Sequence, residues 1–284
     1  MRIRVGLLVV TVLFAAPAGA RRVPAVGTPV IFAAGVTGPE GIAFEPGGGL
    51  IVGTATGQVL RFKPNASRTV LAELGEPLAG ITVLRDGRVV AASFGAGRVW
   101  VVDPGEAQPR VLASGVPGAN SIIETRRHQI LVSASSAGTI VDVTSGTPVE
   151  RASGLSFPNG LALGPGHFLY VAQTSTGDVV RLPLARDGTL GAAQPYATGL
   201  LGADGIAFDT AGDLLAVGAD TLYVVPPGGG AATVLSTDAL LEWPSSLAFG
   251  RGRFGRGLYL VNFGLPLGSG TMILRLPYRR VRQP

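Results

Sequence analysis

The sequence predicts an all-β protein, a six-bladed β-propeller whose ring is closed by an N-terminal strand completing the last blade. Three observations point there. A short phrase recurs with a period of about forty residues, as Pro39-Glu40-Gly41-Ile42-Ala43-Phe44, Pro158-Asn159-Gly160-Leu161-Ala162-Leu163 and Ala203-Asp204-Gly205-Ile206-Ala207-Phe208. Weaker copies stand at 78–83, 119–123 and 244–249. The last copy is followed by too few strands for a blade, and residues 30–36 match the missing outer strand, which would remove an open sheet edge. The 43 glycines and 21 prolines fall at fixed places in the repeat, so they read as turns rather than low complexity.

Residues 1–20 read as a signal peptide. Arg2 and Arg4 give a basic start, 5–16 an apolar stretch too short to span a bilayer, and Ala18-Gly19-Ala20 a small-residue cleavage pattern. Cleavage after Ala20 and a periplasmic or secreted destination are expected, with no membrane span in the mature chain. The propeller is expected over 21–278. In its first unit the strands read as 42–44, 50–53, 58–62 and 69–74. In the second, Asp86-Gly87 marks a hairpin tip. The stretches 111–116 and 195–200 read as outer strands returning to the axis. The last blade takes 247–249, 258–261 and 272–276, and 279–284 is expected to be a solvated basic tail.

Composition narrows the function. The chain has no cysteine, so neither disulfides nor a cysteine lipid anchor is available. The formal charge is +5 and falls by two with the leader. Arg279, Arg280 and Arg282 have no interleaved aromatic residues, and no nucleic-acid partner is expected. Gly250-Arg251-Gly252-Arg253-Phe254-Gly255 spells a nucleotide-binding pattern, but the residues that follow read as a strand where a helix is required. No GxSxG is present, and His128 and His167 belong to the lower face of the disc as turn residues. Asn65-Ala66-Ser67 fits a glycosylation pattern that arises often by chance. Gln173 and Asn262 read as hydrogen-bonding core groups.

A propeller is radial, so one repeat position recurs around one axis at one height. Counting from Glu40, the equivalent positions are Ala79 or Gly80, Asn120, Asn159, Asp204 and Ser245. Two carboxylates and two carboxamides facing one channel form a hard-oxygen site able to balance a divalent cation, and calcium accepts about six to eight such oxygens. Without His or Cys, zinc and copper are disfavoured, while magnesium and manganese suit the donors. Asn-Gly and Asp-Gly also read as ordinary turn dipeptides. Glu40 has no such alternative, because an unpaired charge near a narrow axis is costly.

On these motifs the whole mature chain resembles a divergent, exported member of the senescence marker protein (regucalcin), gluconolactonase and luciferin-regenerating enzyme superfamily. The resemblance implies an axial divalent ion, often calcium, held by Glu40, by Asn159 of Pro-Asn-Gly and by Asp204 of Asp-Gly. It implies that Asn120 contacts substrate, and that the activity is metal-assisted hydrolysis of lactones or related esters with Asp204 as ligand and general base. A polarised carbonyl, a carboxylate to receive a proton, and Asn120 to orient substrate or steady an oxyanion make that chemistry coherent. The chain departs from the sugar-lactonase pattern at Gly118 and Ser121, where Arg and Asp are common. With the short apolar upper loops 155–157 and 199–202, that disfavours a sugar acid. A non-catalytic propeller binding a protein or glycan around a structural ion is the competing reading. A strictosidine-synthase-like propeller acting on another bond is the third, and no acidic residue beyond the cluster supports it.

Overall fold

The computed structural model describes residues 21–106, 108–266 and 268–282. The signal-peptide expectation lies outside them. Six sheets stand around one axis, antiparallel but for the short Gly230–Ala231, which pairs parallel with the outer strand of blade four, and the described residues contain no α-helix. Blade one is built from Pro39–Phe44, Leu50–Thr54, Gln58–Phe62 and Arg68–Glu73, and blade two from Ile81–Val83, Val89–Ser93, Arg98–Val102 and Arg110–Ser114. Blade three runs Ala119–Glu124, Ile130–Ala134, Thr139–Asp142 and Val149–Ala152, and blade four Pro158–Gly164, Phe168–Gln173, Asp178–Pro183 and Gln194–Thr198. Blade five runs Ala203–Phe208, Leu214–Gly218, Thr221–Val225 and Thr233–Ser236. Blade six takes Pro244–Phe249, Leu258–Asn262 and Met272–Leu276 from the C-terminus and Val30–Ala34 from the N-terminus, as the ring-closure argument requires.

The second strand of a blade is wedged between both neighbours, so its two faces are both apolar. In blade one, Leu50 and Val52 join Tyr259 and Ile273 of blade six, while Ile51 joins Ile81 and Val89 of blade two. Period-two alternation therefore sorts side chains between two interblade cores rather than between core and water. At the closing seam Phe32, Phe44, Phe62, Phe254 and Tyr259 form an aromatic cluster, with Phe32 and Tyr259 edge to face at 5.2 Å. The Gly-rich stretch 250–255 supplies Phe254 to this cluster on one 3-10 turn and leads into a strand, as expected.

One expectation is corrected. Tyr278–Arg282 is not a solvated tail but a strand paired antiparallel with Arg22–Val26. Arg280 drives this placement. Its guanidinium bonds Asp209 and, at 2.5 Å, Asp213, while Tyr278 donates its hydroxyl to Asp209 at 2.6 Å. Arg21 adds a second guanidinium on Asp213. A run of arginines read in isolation gives no sign of two buried carboxylates waiting on another blade.

Candidate functional site

The upper ends of the six inner strands meet closely enough to settle the repeat alignment. A Cβ placed on Gly41 would lie 2.6 Å from the Ala79 carbonyl oxygen, and one on Gly205 would lie 2.7 Å from that of Ser245. Gly80 stands in the same way against the Asn120 carbonyl, and Gly160 against that of Asp204. The axial ring therefore runs Glu40, Ala79, Asn120, Asn159, Asp204, Ser245, with Ala79 rather than Gly80 facing the axis in blade two. These glycines also correct the turn reading of Asn-Gly and Asp-Gly. Gly41, Gly160 and Gly205 lie inside strands and are absent from the positive-φ residues. They are small because the neighbouring backbone leaves no room for a side chain.

The two carboxamides are oriented from behind. Asn120 donates its amide N–H to Ser135 Oγ at 3.3 Å, and Ser135 passes its own proton to the Pro158 carbonyl at 2.6 Å. Asn159 repeats the arrangement, donating to Thr174 Oγ1 at 3.2 Å while Thr174 donates to the Ala203 carbonyl at 2.7 Å. Because each hydroxyl spends its proton on a carbonyl, it must accept from the amide, which fixes which end of each amide is nitrogen. Among the described residues neither Oδ1 has a hydrogen-bond partner, so each asparagine presents a free acceptor oxygen beside its remaining N–H. Asn120 has one N–H engaged with Ser135 and keeps its Oδ1 and its second N–H to offer a ligand.

The two carboxylates lack this support. Ser135 and Thr174 each lie fifteen positions after their asparagine, and the same step from Glu40 and Asp204 reaches Ala55 and Ala219. Glu40 Oε2 is buried without a hydrogen-bond partner. Ser245 donates its hydroxyl to the Glu40 backbone carbonyl at 2.9 Å. Burial pushes the Glu40 carboxyl up to about 7, partly offset by Ser245. Burial also raises Asp204 well above the usual carboxylate range, and the Glu40 charge raises it further. That mutual repulsion places both groups in one electrostatic neighbourhood although 163 positions separate them in the chain.

Glu40, Asn120, Asn159 and Asp204 are thus brought to one end of the axis. Among the described residues no three His, Cys, Asp or Glu side chains gather as a metal centre. The donors available are two carboxylates and the free amide oxygens. An orphaned buried carboxylate oxygen, a like-charged pair with no cation partner and two oxygens fixed by their amides fit a hard divalent cation. His128 and His167 are exposed turn residues of the lower face with φ of 62° and 59°, as expected. Gln173 bonds the Ser156 N–H and Asp178, and Asn262 donates to the Leu240 carbonyl, so both are structural. Sequence reading missed Ser135 and Thr174. The sign was present as a polar residue at a constant step after each asparagine.

The family described as "Strictosidine synthase-like, N-terminal" matches residues 30–62, the closing strand and most of blade one. No curated protein sequence matches the chain. Among solved structures, a gluconolactonase from Xanthomonas campestris is similar at 21% identity and a TM-score of 0.71, over 94% of this chain and 99% of that one. A luciferin-regenerating enzyme is similar at 16% identity and a TM-score of 0.70, over 88% and 95% of the two chains. A calcium-binding regucalcin from Agrobacterium tumefaciens is similar at 18% identity and a TM-score of 0.68, over 87% and 95%. At such identities these likenesses bear out the fold on which the resemblance was drawn.

Proposed function

We propose that the protein is an exported, divalent-cation-dependent hydrolase of lactones or related esters. The observation that carries this reading is the uncompensated pair Glu40 and Asp204 beside two carboxamides oriented by hydroxyls. Glu40, Asp204 and Asn159 would hold the cation, with calcium the best match to an all-oxygen set. Such an ion, when bound, supplies Lewis-acid polarisation of a carbonyl and acidifies water. Asp204 is the proton acceptor in this scheme. With the cation bound, the ion's charge keeps Asp204 ionised and able to accept a proton. Asn120 contacts the substrate through its free Oδ1 or its second amide N–H.

The solved relatives include a gluconolactonase and a calcium-binding regucalcin, and both descriptions are in line with this reading. Export rests on the basic start, apolar stretch and Ala18-Gly19-Ala20 of the leader. The test is turnover of a lactone panel with and without EDTA, for the wild type and Asp204→Ala. Activity lost in both conditions is expected. Tight calcium binding without turnover would favour the scaffold reading, and turnover that survives both changes would remove this mechanism.

A further inference from the structure

In four of the six blades the residue two places before the axial position has the same backbone role. The Gly38 carbonyl accepts the N–H of Ala55 at 2.7 Å, and that of Gly118 accepts Ser135 at 2.9 Å. Phe157 accepts Thr174 at 3.2 Å and Trp243 accepts Phe263 at 3.1 Å. The backbone there is left-handed, with φ of 55° at Gly38, 66° at Gly118 and 65° at Gly202. Glycine meets that requirement without strain. Phe157 and Trp243 do not, yet they adopt φ of 54° and 46°. A bulky residue in this region is strained, and such strain persists where the side chain is needed.

The two aromatics go to different places. Trp243 lines a recess at the blade five and six rim with Asp220, Asp238 and Leu265. Phe157 meets Phe94, their ring centroids 6.1 Å apart and their planes tilted by 37°. Phe94 belongs to blade two and Phe157 to blade four, so they touch across the inner end of blade three. Blade three's inner strand begins there after Gly118 and at Ala119, neither of which carries a large side chain. Phe94 follows Ser93, the last residue of the second strand of blade two, and keeps 37% of its surface exposed without a core to fill.

We infer that Phe94 and Phe157 form an apolar platform beside Asn120 that selects, at the proposed hydrolytic site, lactones or esters bearing an aryl or alkyl group over polyhydroxylated sugar lactones. The inference rests on that reading of the axial cluster for its carbonyl chemistry. Aromatic faces give area to a flat apolar group, whereas sugar hydroxyls would lose water against them without gaining partners. Gly118, two places before Asn120, adds no side-chain polar group to satisfy them.

The test uses dihydrocoumarin as an aryl lactone and its lactam isostere, 3,4-dihydro-2-quinolinone, which resists hydrolysis, beside glucono-δ-lactone. The variant is Phe157→Gly, chosen because the left-handed backbone favours glycine, so the fold should melt no earlier than wild type. Calorimetric affinity for the lactam should fall by about tenfold or more, and KM for dihydrocoumarin should rise more than kcat falls. Undiminished lactam affinity in Phe157→Gly overturns the inference, as does a wild type that binds glucono-δ-lactone, or neither probe, in place of the lactam. A wild type that binds the lactam through Phe157 but turns over no lactone with calcium present leaves the platform standing and removes the hydrolase reading.

Discussion

One inner strand, Ala203–Phe208, carries a carboxylate at its upper start and another just past its lower end, and the two have opposite surroundings. Asp209 receives the Tyr278 hydroxyl at 2.6 Å, the backbone N–H groups of Ala211 and Asp213 at 2.9 and 3.0 Å, and the Arg280 guanidinium. Although burial alone would raise its pKa, these bonds hold it below the usual aspartate value. Asp204 has Glu40 as its electrostatic neighbour and is pushed the other way. A buried carboxylate that serves the fold is paired and bonded, because an unpaired one is costly. The lower pair, Asp209 and Asp213, fastens both chain ends to blade five. The upper pair fastens nothing, and in the proposed function a cation completes it.

The sharpest way to break that contrast is to remove one carboxylate from each pair. Asp204→Ala should lower lactone turnover by about 10³-fold while leaving thermal stability intact or raised, since it ends a repulsion. Asp213→Ala should do the reverse, leaving Arg280 and Arg21 short of a partner and costing about 3–4 kcal/mol in chemical denaturation. Equal damage to stability from both would erase the distinction between the pairs.

The two pairs should also respond to pH with opposite sign. Glu40 has a folded pKa of about 7 against a reference of 4.5, so the cation-free fold holds its proton more tightly than the unfolded chain. Stability contributed by that proton is present below about 4.5 and is lost as pH rises through 7, by an amount on the order of 3 kcal/mol. Asp209, lowered from 3.8, contributes stability above that value and loses it as pH falls further. Melting curves in EDTA between pH 4.5 and 8 should therefore decline with pH, and calcium should restore the upper end. A flat profile, or one unchanged in Glu40→Gln, would count against the upper pair. The smallest expected effect is that of Ala55→Ser, which places a hydroxyl where Ser135 and Thr174 stand in blades three and four. If that hydroxyl also spends its proton on a neighbouring carbonyl, it offers Glu40 only a lone pair, and calcium affinity should change by less than about tenfold, worth about 1 kcal/mol.

The ring was legible in the sequence because each blade repeats the same demand. An inner strand must begin with a small residue against its neighbour, so Gly41, Gly80, Gly160 and Gly205 recur and carry the period with them. Closure was legible because an orphan strand at 30–36 matched a blade short of one. Glu40, Asn120, Asn159 and Asp204 could be placed together because radial symmetry turns chain position into height. What escaped was whatever breaks the repeat. The Arg280 contacts join residues of no common repeat position, and the Phe94–Phe157 contact skips a blade. The left-handed backbone of Phe157 is invisible where glycine does not announce it.

Calcium binding measured by titration calorimetry on wild type and Asp204→Ala tests the axial pair most directly. The account predicts one ion per wild-type chain and none in the variant. A wild type that binds no divalent cation, or a variant that binds it unchanged, would contradict it.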